Sequence, residues 1–344
     1  MASPQLPRQI AVITGDYRLP DSTKRNAQYN QEDVTTHEAM RAAFRSLRDY
    51  TFDFLDNHAI LLEQLRGHPP DLVVNFCDTG FQNQAARELN IPAYLELLGI
   101  PYTGAPPSAM VICYDKAIVR LVAQAHGVSV PGEYFLGTNP LQENLPITFP
   151  ALIKPNTADG SVGITKDAVV QNVQEARTYL TWLQETLPGC DALIQEYLPG
   201  PEYGIGVIGN IETEFRILPT LEVDFSRLPA NLNPILSFES KALPDSPYWT
   251  DIKFKKAVLP QDLEDKMQRW VRTLFTRFGL RDYARFDFRV AADGNPKLME
   301  VNPNPAWAND GKLAFMAGFA GLEYRDMLEL ILKAAIARVS TTAH

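Results

Sequence analysis

One stretch near the end of the chain limits the available architectures more than any other. Ala284-Arg285-Phe286-Asp287-Phe288-Arg289 is followed by Asp293-Gly294-Asn295 and then by Lys297-Leu298-Met299-Glu300-Val301-Asn302-Pro303-Asn304-Pro305. Two strand-like runs around an Asp-Gly turn predict a hairpin, which needs a sheet to belong to. Glu300 and Asn302 are two residues apart and so leave one face of a strand, and pairing brings Asp287 to that same face. Two carboxylates and one amide make an all-oxygen set suited to Mg²⁺, which keeps waters and phosphate oxygens as its other ligands. A solvated polar face is the other reading of the same pattern.

The first third of the chain predicts a parallel sheet with crossover helices. Strands are expected over 10–13, 51–55 and 71–76. A helix from about residue 32 would turn Val34, Met40, Phe44 and Leu47 to one side, and others would cover 60–65 and 85–98, the last ending at Gly99. No G-x-G-x-x-G follows the first strand, so no NAD site is expected. Residues 110–126 return to helical periodicity, and 138–150 read as a linker. Strands at 151–154 and 163–165 would flank a loop, with a helix at 173–185 and a strand at 192–197. From residue 203 the pattern is β-rich, with strands at 203–209, 215–223, 284–290 and 297–301, a long helix at 261–278 and a closing amphipathic helix at 328–339. The fold class is α/β, becoming α+β toward the C-terminus.

With 344 residues, about 150 per domain suggests two or three domains. The 32 basic against 41 acidic residues leave a net charge of −9, which argues against a nucleic acid partner. The early apolar run at 10–13 is too short for a signal-peptide core or a membrane span, and charges at helical spacing interrupt the closing one. Cys77, Cys113 and Cys190 suit neither a metal knuckle nor complete internal pairing, so a reducing cytoplasm is the expected location.

Two weaker features accompany the hairpin. Lys154-Pro155-Asn156-Thr157-Ala158-Asp159-Gly160-Ser161-Val162-Gly163 sets a lysine at a strand end before a small-residue loop, which can surround a phosphate with N–H groups or be a plain turn. Gln195-Glu196-Tyr197-Leu198-Pro199-Gly200-Pro201-Glu202-Tyr203 runs from a strand into a turn carrying two acids, where Glu196 could lie beside an adenine edge and Glu202 accept from ribose hydroxyls.

Taken in order, these segments resemble the ATP-grasp superfamily and, within it, the D-alanine–D-alanine ligase family. The same resemblance extends to Ile100-Pro101-Tyr102-Thr103-Gly104, Tyr114-Asp115-Lys116 and Phe238-Glu239-Ser240-Lys241. It implies an ATP-grasp fold behind a Rossmann-like first domain over 1–113, a small central lid over 114–196 and an ATP domain over 197–344. It implies ATP and two Mg²⁺ ions, with Mn²⁺ able to substitute. Lys116, Lys154 and Lys241 would hold the phosphates under a flap carrying Ser161. Glu196 and the Leu198 backbone would meet the adenine, and Glu202 the ribose. Asp287, Glu300 and Asn302 would ligate the metals, and Arg285 would stabilise the acyl-phosphate and tetrahedral states.

The reaction implied joins a carboxylate to an amine through an acyl phosphate, releasing ADP and phosphate. A small-molecule kinase, a non-catalytic nucleotide sensor, and a ligase of L-amino acids or natural-product acids are the rival activities; a homodimer is what the family suggests. The sequence departs from the family where amino acids should sit. Gly15-Asp16-Tyr17-Arg18 carries Asp16 and Arg18 in place of a glutamate, Gly160 replaces the first flap serine, and no histidine follows the third strand. Trp307, Gly311 and Lys312 stand where the second substrate's carboxylate would bind. Lys312 could supply a charge there and Trp307 an apolar wall; helix capping by Asn309 or Asp310 is the rival role for that segment.

Overall fold

The computed structural model describes residues 7–21, 24, 27–137, 148–157 and 160–342. Most of the expected linker, residues 138–147, therefore lies outside the described residues, as do Ala158 and Asp159 of the small-residue loop. Three sheets follow one another along the chain. The first is parallel, with β1 (Gln9–Ile13) between β2 (Thr51–Leu55) and β3 (Leu72–Asn75). Its central strand is buried on both faces. Ile10 and Val12 pack with Met40, Phe44 and Leu47 from the side of α1 (Gln31–Arg45). Ala11 and Ile13 pack with residues of α2 (Leu61–Gly67) and α3 (Asn90–Leu98).

Several expected helices are cut shorter for local reasons. Val34 is exposed, because at 100° per residue it sits about a third of a turn off the Met40, Phe44 and Leu47 stripe. The helix expected from residue 85 begins instead at Asn90, after a 3₁₀ turn at Ala85–Arg87. Pro92 explains this: proline is tolerated in the first turn of a helix and not in its interior. Gly99 ends α3 in the left-handed conformation, φ 67°. The helical stretch to residue 126 is two helices, α4 (Pro107–Tyr114) and α5 (Lys116–Ala125), divided by Asp115, whose carboxylate caps α5 by accepting from Ile118 N at 2.8 Å.

The second sheet is antiparallel, in the order β4 (Glu133–Gly137), β7 (Ala192–Glu196), β5 (Ala151–Pro155), β6 (Val169–Val170). Ala176, Tyr179, Leu180 and Leu183 of α6 (Val173–Thr186) pack on it. The strand expected at 163–165 is a turn. Gly163 has φ +75°, and Tyr179 Oη donates to Gly163 O at 3.0 Å while accepting from Thr165 N at 2.9 Å. Those backbone groups are satisfied by a side chain and not by a neighbouring strand.

The third sheet is antiparallel and has six strands. Its order is β11 (Lys253–Lys256), β10 (Leu221–Asp224), β8 (Glu202–Gly209), β12 (Tyr283–Val290), β13 (Pro296–Asn302), with β9 (Phe215–Ile217) also on β8. The run expected at 215–223 is thus two strands. Short α7 (Glu239–Ala242) and α8 (Pro247–Thr250) precede α9 (Gln261–Arg277). On one face Tyr203, Ile205, Val207, Ala284, Phe286 and Phe288 pack against Met267, Val271, Leu274 and Phe275 of α9, with Val119 and Ala123 of α5. At roughly 1.5–3 kcal/mol per buried large side chain, this contact anchors the sheet. The opposite face is partly covered by α10 (Lys312–Phe319) and by α11 (Tyr324–Thr342), whose buried stripe is Met327, Leu328, Ile331, Leu332 and Ala335. A Cβ on Gly206 would lie 2.8 Å from Leu313 Cδ1 and 2.9 Å from Met316 Cε, so α10 packs directly over this glycine and a larger residue would have to push those side-chain tips aside. Among the described residues no helix is long and apolar enough to cross a membrane.

Candidate active site

Because Phe286 and Phe288 face α9, the residues between and beside them must face the other way. Register places Arg285 opposite Asn302 and Asp287 opposite Glu300 on β13, and Asp287 opposite Gly204 and Arg289 opposite Glu202 on β8. The turn closes through Ala291 N donating to Asn295 O at 2.9 Å, with Gly294 at φ +82°. One face of three strands thus carries Glu202, Arg285, Asp287, Arg289, Glu300 and Asn302 beside two glycines.

Asp287 lies at the centre of that floor and is buried. Arg285 Nε reaches its Oδ1 at 2.9 Å and Nη2 its Oδ2 at 3.0 Å, and Lys312 Nζ approaches Oδ2 at 3.6 Å. Burial alone would raise this carboxyl, but Arg285 and Lys312 overcompensate and hold it well below the usual carboxylate range. Glu202 lies between two cations, Lys312 at 3.4 Å and Arg289 at 3.6 Å. Glu300 is the more open carboxylate, its side chain 32% exposed, with Arg285 no nearer than 3.9 Å.

The second sheet supplies the opposing lysines. Lys154, on β5, is buried, and its Nζ donates to Gln195 Oε1 at 3.1 Å. Gln195 Nε2 donates in turn to Glu133 at 2.8 Å, and Glu133 also pairs with Arg120 at 3.2 Å. Burial pushes the Lys154 ammonium down to about 8; Glu133 and Glu300 oppose that shift and Lys116 adds to it. Lys116 is anchored beside it, its Nζ 3.5 Å from Asn156 O. Charges from both sheets therefore act on one another across the same space.

The remaining expected residues are distributed more widely. Glu196 accepts from Lys297 Nζ at 2.7 and 2.9 Å and from Gly132 N at 2.9 Å, which ties the end of β7 to β13. Leu198 is buried in the segment that follows. Ser161, with φ 62°, donates to Leu236 O at 2.9 Å, joining the flap to the segment before α7. Lys241 lies on α7 and is exposed. Asp16 and Arg18 are bound to one another, Nε to Oδ1 at 2.7 Å, and Asp16 Oδ2 accepts from His58 N at 2.9 Å. Trp307 is buried, stacked on Phe76 at 5.5 Å, and donates from Nε1 to Phe76 O at 2.8 Å. Gly311 caps α10, and Lys312, its first residue, turns onto the floor.

Some residues around the site received no role from the sequence, although Arg289 and Asn304 lie within the hairpin stretch itself. Arg289 stacks between Tyr197 and Phe225 and donates to Pro234 O at 2.5 Å. Glu88 accepts from Asn304 Nδ2 and from Tyr114 Oη, both at 2.6 Å, while Tyr283 Oη donates to Asn304 Oδ1. This network fixes the loop that follows Asn302. Asn304 continues the two-residue spacing of Glu300 and Asn302, a signal the sequence does contain.

The donor set fits Mg²⁺. Asn302 Nδ2 donates to Asp287 at 3.4 Å and to Glu300 at 3.3 Å, so the three side chains meet on one face, and their carboxylate oxygens and amide Oδ1 are the oxygen donors that Mg²⁺ prefers. They comprise two carboxylates and an amide, and among the described residues no group of three or more His, Cys, Asp or Glu could hold a metal ion.

Residues 138–333 match the family model described as "D-ala D-ala ligase C-terminus". An uncharacterized protein, y4sG, of Sinorhizobium fredii is 30% identical over 280 residues, which cover 78% of this chain and 77% of that protein. The D-alanine–D-alanine ligase of Haemophilus influenzae is 25% identical over 295 residues, 81% of this chain and 93% of the ligase. Among solved structures, D-alanine–D-alanine ligase from Bacillus anthracis complexed with ATP superposes with a TM-score of 0.69 at 20% identity, covering 98% of this chain and all of that one. That likeness shows the fold.

Proposed function

Since the chain belongs to the D-alanine–D-alanine ligase family of ATP-grasp carbon–nitrogen ligases, we propose that it joins a small carboxylate, such as an amino acid, to an amine at the expense of ATP. The observation that carries this reading is the floor of β8, β12 and β13, where Arg285, Asp287, Glu300 and Asn302 share one face opposite Lys116 and Lys154. We take residues 1–113, 114–196 and 197–344 as the Rossmann-like, lid and ATP-grasp units, the last holding the Mg/ATP and substrate sites.

Asp287, Glu300 and Asn302 would hold Mg²⁺, which when bound neutralises phosphate charge and orients the γ-phosphoryl group. The rest falls to the chain's own side chains. Lys116 and Lys154 receive phosphate oxygens on the lid side, and burial makes each charge felt strongly. The Glu196–Lys297 pair holds the lid sheet against the floor where the adenine would lie, beside Leu198, with Glu202 toward the ribose. Ser161 and Lys241 belong to the segments that close over the phosphates and exclude water. Arg285, aimed by its bidentate grip on Asp287, faces the negative charge that develops as a substrate carboxylate is phosphorylated and as an amine then displaces phosphate. No side-chain nucleophile is required.

Phosphate release across a matrix of D- and L-amino acids and small amines, with mass detection of products, tests this reading. ADP, phosphate and an amide should appear together. A phosphorylated product without free phosphate would show a kinase instead.

A further inference from the structure

Lys312 has no place in the metal and phosphate set outlined above, yet its side chain ends inside it. It is the first residue of α10, and Gly311 before it is held tightly: a Cβ there would lie 3.1 Å from Ala308 O and 3.3 Å from Ala306 O. From this fixed base the ammonium reaches between two strands, 3.4 Å from Glu202 Oε1 on β8 and 3.6 Å from Asp287 Oδ2 on β12. Only 13% of the side chain is exposed. Its ammonium is directed at the two carboxylates and not at bulk solvent.

The charges around it are balanced without a metal. Glu202, Asp287 and Glu300 supply three negative charges; Arg285, Arg289 and Lys312 supply three positive ones. Both oxygens of Glu202 face cations, and Asp287 Oδ2 faces Arg285 and Lys312 together. Glu300, the more open carboxylate, keeps the weakest cationic contact at 3.9 Å and has Asn302 beside it. Room and negative charge for a divalent ion are therefore concentrated at the Glu300–Asn302 end, and the Glu202–Asp287 end already holds a monovalent one.

We propose that the Lys312 ammonium is a built-in cation that replaces one of two metal ions, so that this chain takes a single divalent cation with its nucleotide. This deepens the reading of the floor as the ATP site and rests on it. A lysine at a fixed point holds charge regardless of the metal supply, and like charges about 4 Å apart repel strongly in a site of low dielectric. A second ion beside Lys312 would have to displace it from both carboxylates.

Mn²⁺ counting tests this without turnover. Free Mn²⁺ is followed by electron paramagnetic resonance as it is titrated into the full chain with a non-hydrolysable ATP analogue. Wild type and Lys312→Arg should each bind one tight Mn²⁺ per chain. Lys312→Met should bind two, because the floor is left one charge more negative; Lys312→Gln gives the same reading should the Met variant fail to fold by circular dichroism. Two ions in the wild type, or one in the neutral variants, would overturn the proposal and leave the ligase reading standing. Failure of the wild type to bind the nucleotide, measured by calorimetry, would overturn both.

Discussion

Asp16 and Asp287 are each gripped by an arginine two residues away, at 2.7 and 2.9 Å, and both are buried. Their surroundings differ. Asp16 lies in the loop after β1 and accepts from the backbone N–H groups of His58 and Arg18, and Asn83 Nδ2 donates to its carbonyl at 2.7 Å. Burial pushes its carboxyl up, but those two backbone bonds and Arg18 bring it below the usual range. Among the described residues, Asp287 accepts from the side chains of Arg285 and Asn302, on a strand face that also carries Gly204. Backbone donors cannot be withdrawn without moving the fold, whereas side-chain donors can rotate away to admit a ligand. The same residue pair therefore locks a loop in one place, and in the other it is the pair to which the proposed function gives a ligand-binding role.

The sharpest test of that contrast is Asp287→Asn, which should lower turnover on the order of 10³-fold. A kcat within tenfold of wild type, by phosphate release, would remove the floor from the chemistry. Glu300→Gln comes next, with turnover reduced about 10²-fold and the thermal midpoint almost unmoved, since the side chain is a third exposed. Asp16→Asn should do the reverse. It should cost about 1–3 kcal/mol in urea unfolding, because the amide NH2 that replaces one carboxylate oxygen cannot accept from the N–H facing it and the Arg18 ion pair is lost, and leave kcat per folded molecule unchanged. A selective loss of kcat there would place Asp16 in the substrate site after all.

The two smaller effects probe the lid and the wedge between units. Lys154 is an ammonium below about pH 8 and loses its proton above it in the free enzyme. Phosphate prefers the ammonium, so KM for ATP should rise about tenfold per pH unit above that point, with kcat at saturating ATP much less affected. A flat KM profile to pH 10 would contradict the role given to Lys154. Trp307→Phe removes the bond to Phe76 O and should cost about 1 kcal/mol of stability with no change in substrate KM. A raised KM would make Trp307 the wall of a substrate pocket.

The legible part of this molecule is the part whose information is local. Strands β1, β3, β5 and β12 are short apolar or alternating runs, and the β12–β13 hairpin needs only its turn and a two-residue period to bring Asp287, Glu300 and Asn302 to one face. Where the sequence misleads, a single residue overrides the pattern. Pro92 starts α3 late, Asp115 caps a new helix, and Tyr179 takes the backbone bonds that a strand at 163–165 would have used. Strand β11, with Lys253, Lys255 and Lys256 exposed at a sheet edge, shows no apolar run at all. The surroundings of Asp16 and Trp307 are the least legible, because Asp16 accepts from His58 and Trp307 donates to Phe76, 42 and 231 positions away.

By itself the sequence determined most of the strands, the β12–β13 hairpin and which of its polar residues share a face, because a strand's period dictates which neighbours lie together. Only the tertiary structure decided what each charge does. The packing of α10 over Gly206 brings the Lys312 ammonium between Glu202 and Asp287, 110 and 25 residues away in the chain. Arg289, Lys297 and Glu88 become parts of the site in the same way. A charge's partner depends on which elements pack against its own, and packing is settled by the whole core and not by neighbours in sequence.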